Sequence, residues 1–120
     1  MSKSGMSNED LLEFFQKETT GMVELMKKKN ADYAGGNDNP FANFERVSAF
    51  DCVSTEQGFF TRMTDKLSRI SSFIKNGKLQ VQDESVKDTL LDLANYSLLF
   101  MAYLESKKME EESNRVEINS

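Results

Sequence analysis

The sequence predicts an all-α protein, a bundle of about four helices. Apolar residues recur at the three- to four-residue spacing of amphipathic helices in three long stretches. The only proline lies in a loop rich in glycine and asparagine, and the segment that most resembles a strand, Leu79–Val81, is too short to be one. With 120 residues, the chain is expected to form one helical domain over 8–108, between a flexible N-terminus (1–7) and an acidic, flexible tail (109–120).

The first half of the chain predicts one long helix, a loop and a short helix. Ser7 and the acidic residues that follow it form an N-cap and an acidic first turn, so the first helix is predicted over about residues 8–30. Clustered asparagines and glycines, with the single proline, predict a loop over Asn30–Asn43. A short helix is then predicted over about residues 43–50.

The second half predicts two long helices. Thr55 is the expected cap of a helix over about residues 56–75, which ends at Gly77 because glycine readily adopts the left-handed conformation of a helix C-terminus. Asp83 is the expected cap of the last helix, over about residues 84–107.

Composition excludes several classes of function. The formal charge of −5 argues against a protein that binds nucleic-acid polymers, which would need a basic surface. The absence of histidine excludes imidazole acid–base chemistry and histidine-ligated zinc. Cys52 is the only cysteine, so there is no intrachain disulfide, as is usual in the cytoplasm. No apolar run is long enough for a membrane span, and a cytoplasmic location is expected.

The last helix carries a line of acidic and amide side chains beside its apolar surface. The line consists of Glu84, Asp88, Asp92 and Asn95. At roughly 100° per residue, these residues share one narrow face. Carboxylates next to apolar surface need a compensating cation, so the three acids predict a site for Mg²⁺, with Mn²⁺ as another candidate. The alternative is a solvated face on which Lys87 and Arg69 are salt-bridge partners.

The 56–75 helix carries a second charged line. It consists of Arg62, Asp65, Lys66 and Arg69, and it flanks an apolar stripe of Phe59, Met63, Leu67, Ile70 and Ile74. Charges beside the core, and not opposite it, predict a cleft shared with the acidic line. There Asp65 would join the metal ligands, and the three cations would bind phosphate oxygens. The alternative is an ordinary ladder of salt bridges along one helix.

Two further features of these helices bear on ligands and partners. Asn95 and Tyr96 lie one turn beyond Asp92 and could contact a base or a sugar, although Tyr96 is equally typical of a core ring. The remaining side of the 56–75 helix holds only small polar residues, which could pack against a helix of a second subunit. They are Thr61, Thr64, Ser68, Ser71 and Ser72.

Three blocks of the sequence resemble a bacteriophage family called nucleotide modification associated domain 1. The blocks are Lys27–Phe44, Gly58–Ile70 and Asp83–Tyr96. That family is similar to the all-α NTP pyrophosphatases, the superfamily of MazG and the dimeric dUTPases. The resemblance implies a helical bundle that assembles as a homodimer or homotetramer. It also implies Mg²⁺-dependent cleavage of a nucleoside triphosphate to the monophosphate and pyrophosphate, in the host cytoplasm if a phage encodes the protein.

The resemblance also suggests roles for individual residues. Asp65 and Asp92 match the second acids of the superfamily's two acidic pairs, whereas Arg62 and Thr89 stand where the first acids should be. Asp88 and Glu84 are the expected substitutes, which makes Asp65, Asp88 and Asp92 the catalytic candidates. In the loop block, the candidates for recognising a base or ribose are Asp32, Tyr33, Asn43 and Phe44.

Two functions are therefore expected ahead of a purely structural role. The first is a Mg²⁺-dependent nucleoside triphosphate pyrophosphohydrolase. The alternative is a nucleotide-binding protein without catalysis, for instance one that sequesters a nucleotide signal of host antiviral defence. The arginine at position 62 favours the alternative, because it replaces an acid that the superfamily uses.

Overall fold

The all-α prediction is confirmed by a computed structural model, which describes residues 5–33, 39–50, 53–77 and 85–119, with Asn30–Tyr33 and Asn119 as backbone only. This part of the chain contains four helices and no strand. The helices are α1 (Asn8–Tyr33), α2 (Ala42–Phe50), α3 (Thr55–Asn76) and α4 (Val86–Asn119). None of them, within the described residues, has the length and apolar character needed to cross a membrane.

The chain divides into two compact units, Met1–Pro40 and Phe41–Ser120. In the first unit, α1 begins as predicted: the Ser7 hydroxyl accepts a hydrogen bond from the Asp10 amide at 3.0 Å, and the Asp10 carboxylate accepts one from the Ser7 amide at 3.0 Å. The helix extends to Tyr33, beyond its predicted end near residue 30. Asp32 and Tyr33 therefore belong to the last turn of α1 and not to the following loop.

The caps of α3 and α4 differ from those predicted. Ser54, and not Thr55, caps α3: its hydroxyl accepts from the Gln57 amide at 3.1 Å, and the Gln57 side chain accepts from the Ser54 amide at 2.9 Å. Ser85 caps α4 by accepting a hydrogen bond from the Asp88 amide at 3.1 Å, whereas Asp83 lies outside the described residues. A serine hydroxyl reaches the third amide of the helix as well as the predicted caps would.

The ends of these two helices also differ in how well the sequence predicts them. Gly77 ends α3 as predicted, with φ of 72° and its amide donating to the Phe73 carbonyl at 2.7 Å. Helix α4 does not end near residue 107 but continues to Asn119, so helical backbone runs through the segment that was expected to be a tail. The flexibility of that segment stays a prediction.

In the second unit, α3 and α4 pack as an antiparallel pair. Phe59, early in α3, lies 5.0 Å from Phe100 and 5.7 Å from Tyr103 between ring centroids, and later in α3 Lys66 meets Asp92. Phe59 and Tyr103 are buried together with Phe41, and these three rings form the core. Ring contacts therefore fix the pairing of α3 with α4.

Helix α2 packs against one side of α3. The Ser48 hydroxyl is buried, donates to the Phe44 carbonyl at 2.7 Å, and lies 3.0 Å from the position that a Cβ on Gly58 would take. The missing side chain at Gly58 thus allows α2 and α3 to approach closely.

The predicted apolar stripe of α3 is only partly buried. Phe59 is inaccessible, but Leu67 and Ile74 are exposed. Helix rotation explains the difference: Lys66, and not Leu67, faces α4. The prediction that the whole stripe lies in the core is wrong for these two residues.

Candidate functional site

The two charged lines meet where Lys66 contacts Asp92. The Lys66 Nζ lies 3.0 Å from the Asp92 Oδ2, and the exposed fractions of the two side chains are 12% and 40%. An ammonium group so far removed from water needs a partner of opposite charge, and Asp92 supplies it. The predicted contact between the basic line of α3 and the acidic line of α4 is therefore present, as an ion pair between helices.

A second ion pair runs along α3. The Arg69 Nε lies 3.5 Å from the Asp65 Oδ2, one turn away on the same helix, and 60% of the Asp65 side chain is exposed. This contact is the salt-bridge ladder that the sequence offered as an alternative to a cleft. Each interpretation thus describes one part of the line: Lys66 crosses to α4, and Arg69 pairs within α3.

Arg62 lies over the ring of Phe44. Its Cζ is 4.4 Å from the ring centroid, a cation–π contact, while Phe59 stacks on the same ring at 4.3 Å. Tyr96 meets the ring edge-on at 6.3 Å. At these distances, Arg62 and Phe59 cannot both lie on the same face of the Phe44 ring. Both faces of the ring are therefore covered. Stacking of a base on Phe44 stays a prediction, and it requires Arg62 to move away.

The acidic line of α4 includes exposed and partly buried side chains. Asp88 is exposed in the first turn, while Asp92 and Asn95 are half-buried one and two turns further on. Thr89, at the position of an expected superfamily acid, is 0% exposed, and its hydroxyl lies 3.5 Å from the Ser85 carbonyl oxygen. A carboxylate would be costly at so dry a position, which gives a physical reason for the threonine.

Among the described residues, the predicted metal ligands are not gathered into a cluster of three. Among residues 5–33, 39–50, 53–77 and 85–119, no three acidic side chains lie close enough together to hold one ion. Asp92 is paired with Lys66, and Asp65 with Arg69. Glu84, the fourth predicted ligand, lies outside the described residues. Binding of Mg²⁺ or Mn²⁺ stays a prediction.

The remaining candidates are divided between the two units. Tyr96 and Phe44 contact each other beside Arg62, and Asn43 is exposed in the first turn of α2. The backbone of Asp32 and Tyr33 is in α1, and their side chains lie outside the described residues. The structure therefore brings together a group around the α3–α4 contact. It consists of Phe44, Arg62, Lys66, Asp92 and Tyr96.

Tyr103 and Lys107 form a contact on α4 that was not among the sequence-based predictions. The Lys107 Nζ lies 5.8 Å from the centroid of the buried Tyr103 ring. The electrostatic interaction with Tyr103 raises the pKa of Lys107, and a hydrogen bond to the same side chain adds to the effect. The i, i+4 spacing of an aromatic residue and a lysine on α4 is the only signal that points to this pair.

The described helices define an all-α protein in which cationic side chains lie at the contact between two antiparallel helices. The chain belongs to the family described as nucleotide modification associated domain 1, whose model matches residues 29–104, more than half of the chain. That description is consistent with the expected role in nucleotide metabolism in general. No curated protein and no solved structure matches the chain.

Proposed function

We propose that the protein binds a nucleotide at the contact between α3 and α4, with Arg62, Lys66 and Arg69 as the phosphate-binding side chains. The ion pair between Lys66 and Asp92 is the observation that carries the proposal, because it places the basic line of α3 beside polar groups of α4. Guanidinium and ammonium groups are the usual partners of phosphate oxygens. The family's association with nucleotide modification supports a nucleotide over other phosphates.

Recognition of the base and sugar is assigned to residues near these cations. Asn95 and Tyr96 follow Asp92 by one turn of α4, and both are half-buried. The Phe44 ring contacts Arg62, and Asn43 precedes Phe44 in the sequence. Asp32 and Tyr33 are assigned on the resemblance alone. An amide can hydrogen-bond a base edge, and an aromatic ring can stack on one.

The enzymatic form of the proposal is a Mg²⁺-dependent pyrophosphohydrolase. Water would hydrolyse the phosphoanhydride bond between the α- and β-phosphoryl groups, which leaves the nucleoside monophosphate and releases pyrophosphate. The proposed ligands of the Mg²⁺ or Mn²⁺ ion are Asp65, Glu84, Asp88 and Asp92. All of them except Glu84 are also the proposed catalytic residues. Two of these carboxylates contact cationic side chains, so a metal would have to replace Arg69 and Lys66 as their partners.

The alternative form is a protein that binds and sequesters a nucleotide signal of host antiviral defence without cleaving it. The pairing of Asp65 and Asp92 with cations favours this form, since it engages two of the carboxylates that hydrolysis would need as metal ligands. In both forms we propose a phage protein that acts in the bacterial cytoplasm as a homodimer or homotetramer, as the resemblance implies.

A thermal-shift screen of the eight common ribo- and deoxyribonucleoside triphosphates, with Mg²⁺ and with EDTA, tests binding. A nucleotide that binds only the folded state raises the melting temperature. Arg62→Met should weaken the affinity for the best nucleotide by about tenfold or more. Arg46→Met, at an exposed position of α2, is the matched control and should have no effect. An unchanged melting temperature with every nucleotide would reject the proposal.

Pyrophosphate release then separates the two forms. The enzyme should release pyrophosphate only with the metal, and Asp88→Asn should abolish release without loss of folding, because Asp88 is exposed and its backbone amide keeps the cap. Asp92→Asn should also abolish release. Recovery of an intact, tightly bound nucleotide in both Mg²⁺ and EDTA would favour sequestration.

A further inference from the structure

One side of the α3–α4 pair carries two stripes without a charged residue, and all their members except the half-buried Ala94 and Ser97 are exposed. The stripe on α3 consists of Phe60, Thr64, Leu67, Ser71 and Ile74, and that on α4 of Leu90, Ala94, Ser97, Met101 and Leu104. Together they form what we call the uncharged face. Its six large apolar residues are each between 48% and 75% exposed. Monomeric proteins rarely leave so continuous an apolar surface in water.

The two stripes lie on the same side of the pair. On α3 the stripe is rotated by about 110° from the line of Phe59 and Lys66 that meets α4, and on α4 it is rotated by about 125° from the mean direction of Asp92, Phe100 and Tyr103, which contact α3, at about 100° per residue. Because the helices are antiparallel, similar rotations in the direction of the chain on each helix point to the same side of the pair. Gly58, which faces α2, is on the opposite side of α3.

The spacing and composition of the uncharged face suit another pair of helices. Both stripes follow steps of four and three residues, the repeat by which helices pack along a shared seam. Small residues alternate with large ones on α3, and on α4 two small residues lie between large ones, so each stripe offers both projections and gaps. A two-fold interface brings a surface against its own copy, where like charges would repel. A chain with 35 charged residues (15 basic and 20 acidic) has none in these ten positions.

We propose that the uncharged face binds the same face of a second copy of the chain. A single helix is too narrow to cover this face, because two packed helices are about 20 Å across whereas one helix is about 10 Å wide. One helix, such as α1 of the same chain, would cover a single groove and leave apolar residues of one stripe exposed. An identical two-helix face covers both stripes and completes a four-helix arrangement.

The proposed assembly would form through the uncharged face, and its formation does not depend on the proposed ligand. Arg62, Asp65 and Arg69 are on the side of α3 that faces α2, away from the uncharged face. A dimer formed in this way would keep both copies of the candidate nucleotide site open. Oligomeric state and nucleotide binding can therefore fail independently.

Light scattering during size-exclusion chromatography of the full chain tests this interface. The wild type should have at least twice the chain mass of 13.7 kDa, and Leu67→Glu and Met101→Glu should each shift it toward the monomer. Phe50→Glu, at an exposed apolar residue of α2, is the matched control and should not change the mass. Thr64→Arg adds a charge to the face without removing an apolar group, so it serves if the glutamate variants do not fold by circular dichroism.

Two results would overturn the proposal. The first is a wild-type protein that stays monomeric at high concentration. If Leu67→Glu then also lowers its melting temperature, the face is covered within one chain. The second is a dimer whose mass is unchanged in both folded glutamate variants and in Thr64→Arg, since the second copy must then bind elsewhere.

Discussion

The Lys66 ammonium group contacts the Asp92 carboxylate across the two longest elements of the second unit, at 3.0 Å. The contact joins the middle of α3 to α4 and neutralises a lysine that is almost fully removed from water. It also engages one of the carboxylates that the sequence predicts as metal ligands. Stability and ligand chemistry therefore meet in one pair of residues.

Removal of the Asp92 charge should destabilise the protein more than removal of the Asp65 charge. Asp92→Asn leaves the largely buried Lys66 without its carboxylate partner, and we expect the free energy of unfolding to fall by about 1–3 kcal/mol. Asp65→Asn breaks a pair that is more exposed and lies within one helix, at a cost of about 0.5 kcal/mol or less. Urea denaturation followed by circular dichroism measures both changes.

The double variant Lys66→Met with Asp92→Asn separates the ion pair from other effects. Methionine keeps much of the lysine side-chain volume and removes the buried charge, so the double variant should be more stable than Asp92→Asn alone. If the costs of the two single substitutions simply add, Lys66 and Asp92 are not energetically coupled, and Asp92 does not stabilise the lysine charge.

The sequence predicts the helices well because their signals are local. Apolar spacing locates the three long helices, and Gly77 ends α3 as expected. The sequence does not predict which of two adjacent stripes of α3 is buried. Lys66 and Leu67 are neighbours in the sequence, and the rotation of α3 against α4 decides which of them faces α4. For the same reason spacing alone finds the acidic line of α4, but it cannot tell whether a lysine or a metal neutralises Asp92.

Phe59 and Phe60 are adjacent residues whose truncation should lower the stability by very different amounts. Phe59 is 0% exposed and touches Phe44, Phe100 and Tyr103, so Phe59→Ala should cost about 3–5 kcal/mol in the free energy of unfolding. Phe60 is 66% exposed, and Phe60→Ala should cost much less at protein concentrations where the chain is monomeric. Denaturant titrations at two protein concentrations separate folding from association. Equal costs at the lower concentration would contradict the assigned core.

Lys107 should lose a stabilising contact only at alkaline pH. Its pKa is raised by Tyr103, so the folded protein holds this proton more tightly than the unfolded chain does. The contribution to stability is thus complete below the ordinary pKa of lysine and is lost as the pH rises through the raised value. Tyr103→Phe keeps the ring but removes the hydroxyl, and it should lower the pKa of Lys107 in an NMR titration of the lysine ¹³Cε signals. Tyr96→Phe, on the same helix, is the control, and an unchanged Lys107 pKa in Tyr103→Phe would exclude the phenol as its cause.

Two helical glycines provide a test of the close approach between α2 and α3. Alanine normally stabilises a helix interior by about 0.5–1 kcal/mol relative to glycine, and Gly21→Ala in α1, which meets no atom within 4 Å, should gain this amount. Gly58→Ala should gain less or lose stability, since its Cβ would lie 3.0 Å from the Ser48 hydroxyl. Ser48→Ala removes that hydroxyl, so Gly58→Ala should become stabilising in the Ser48→Ala background. The four variants compared by urea denaturation give the coupling between the two positions directly. If Gly58→Ala has the same effect with and without Ser48, helix α2 does not pack on α3 at this contact.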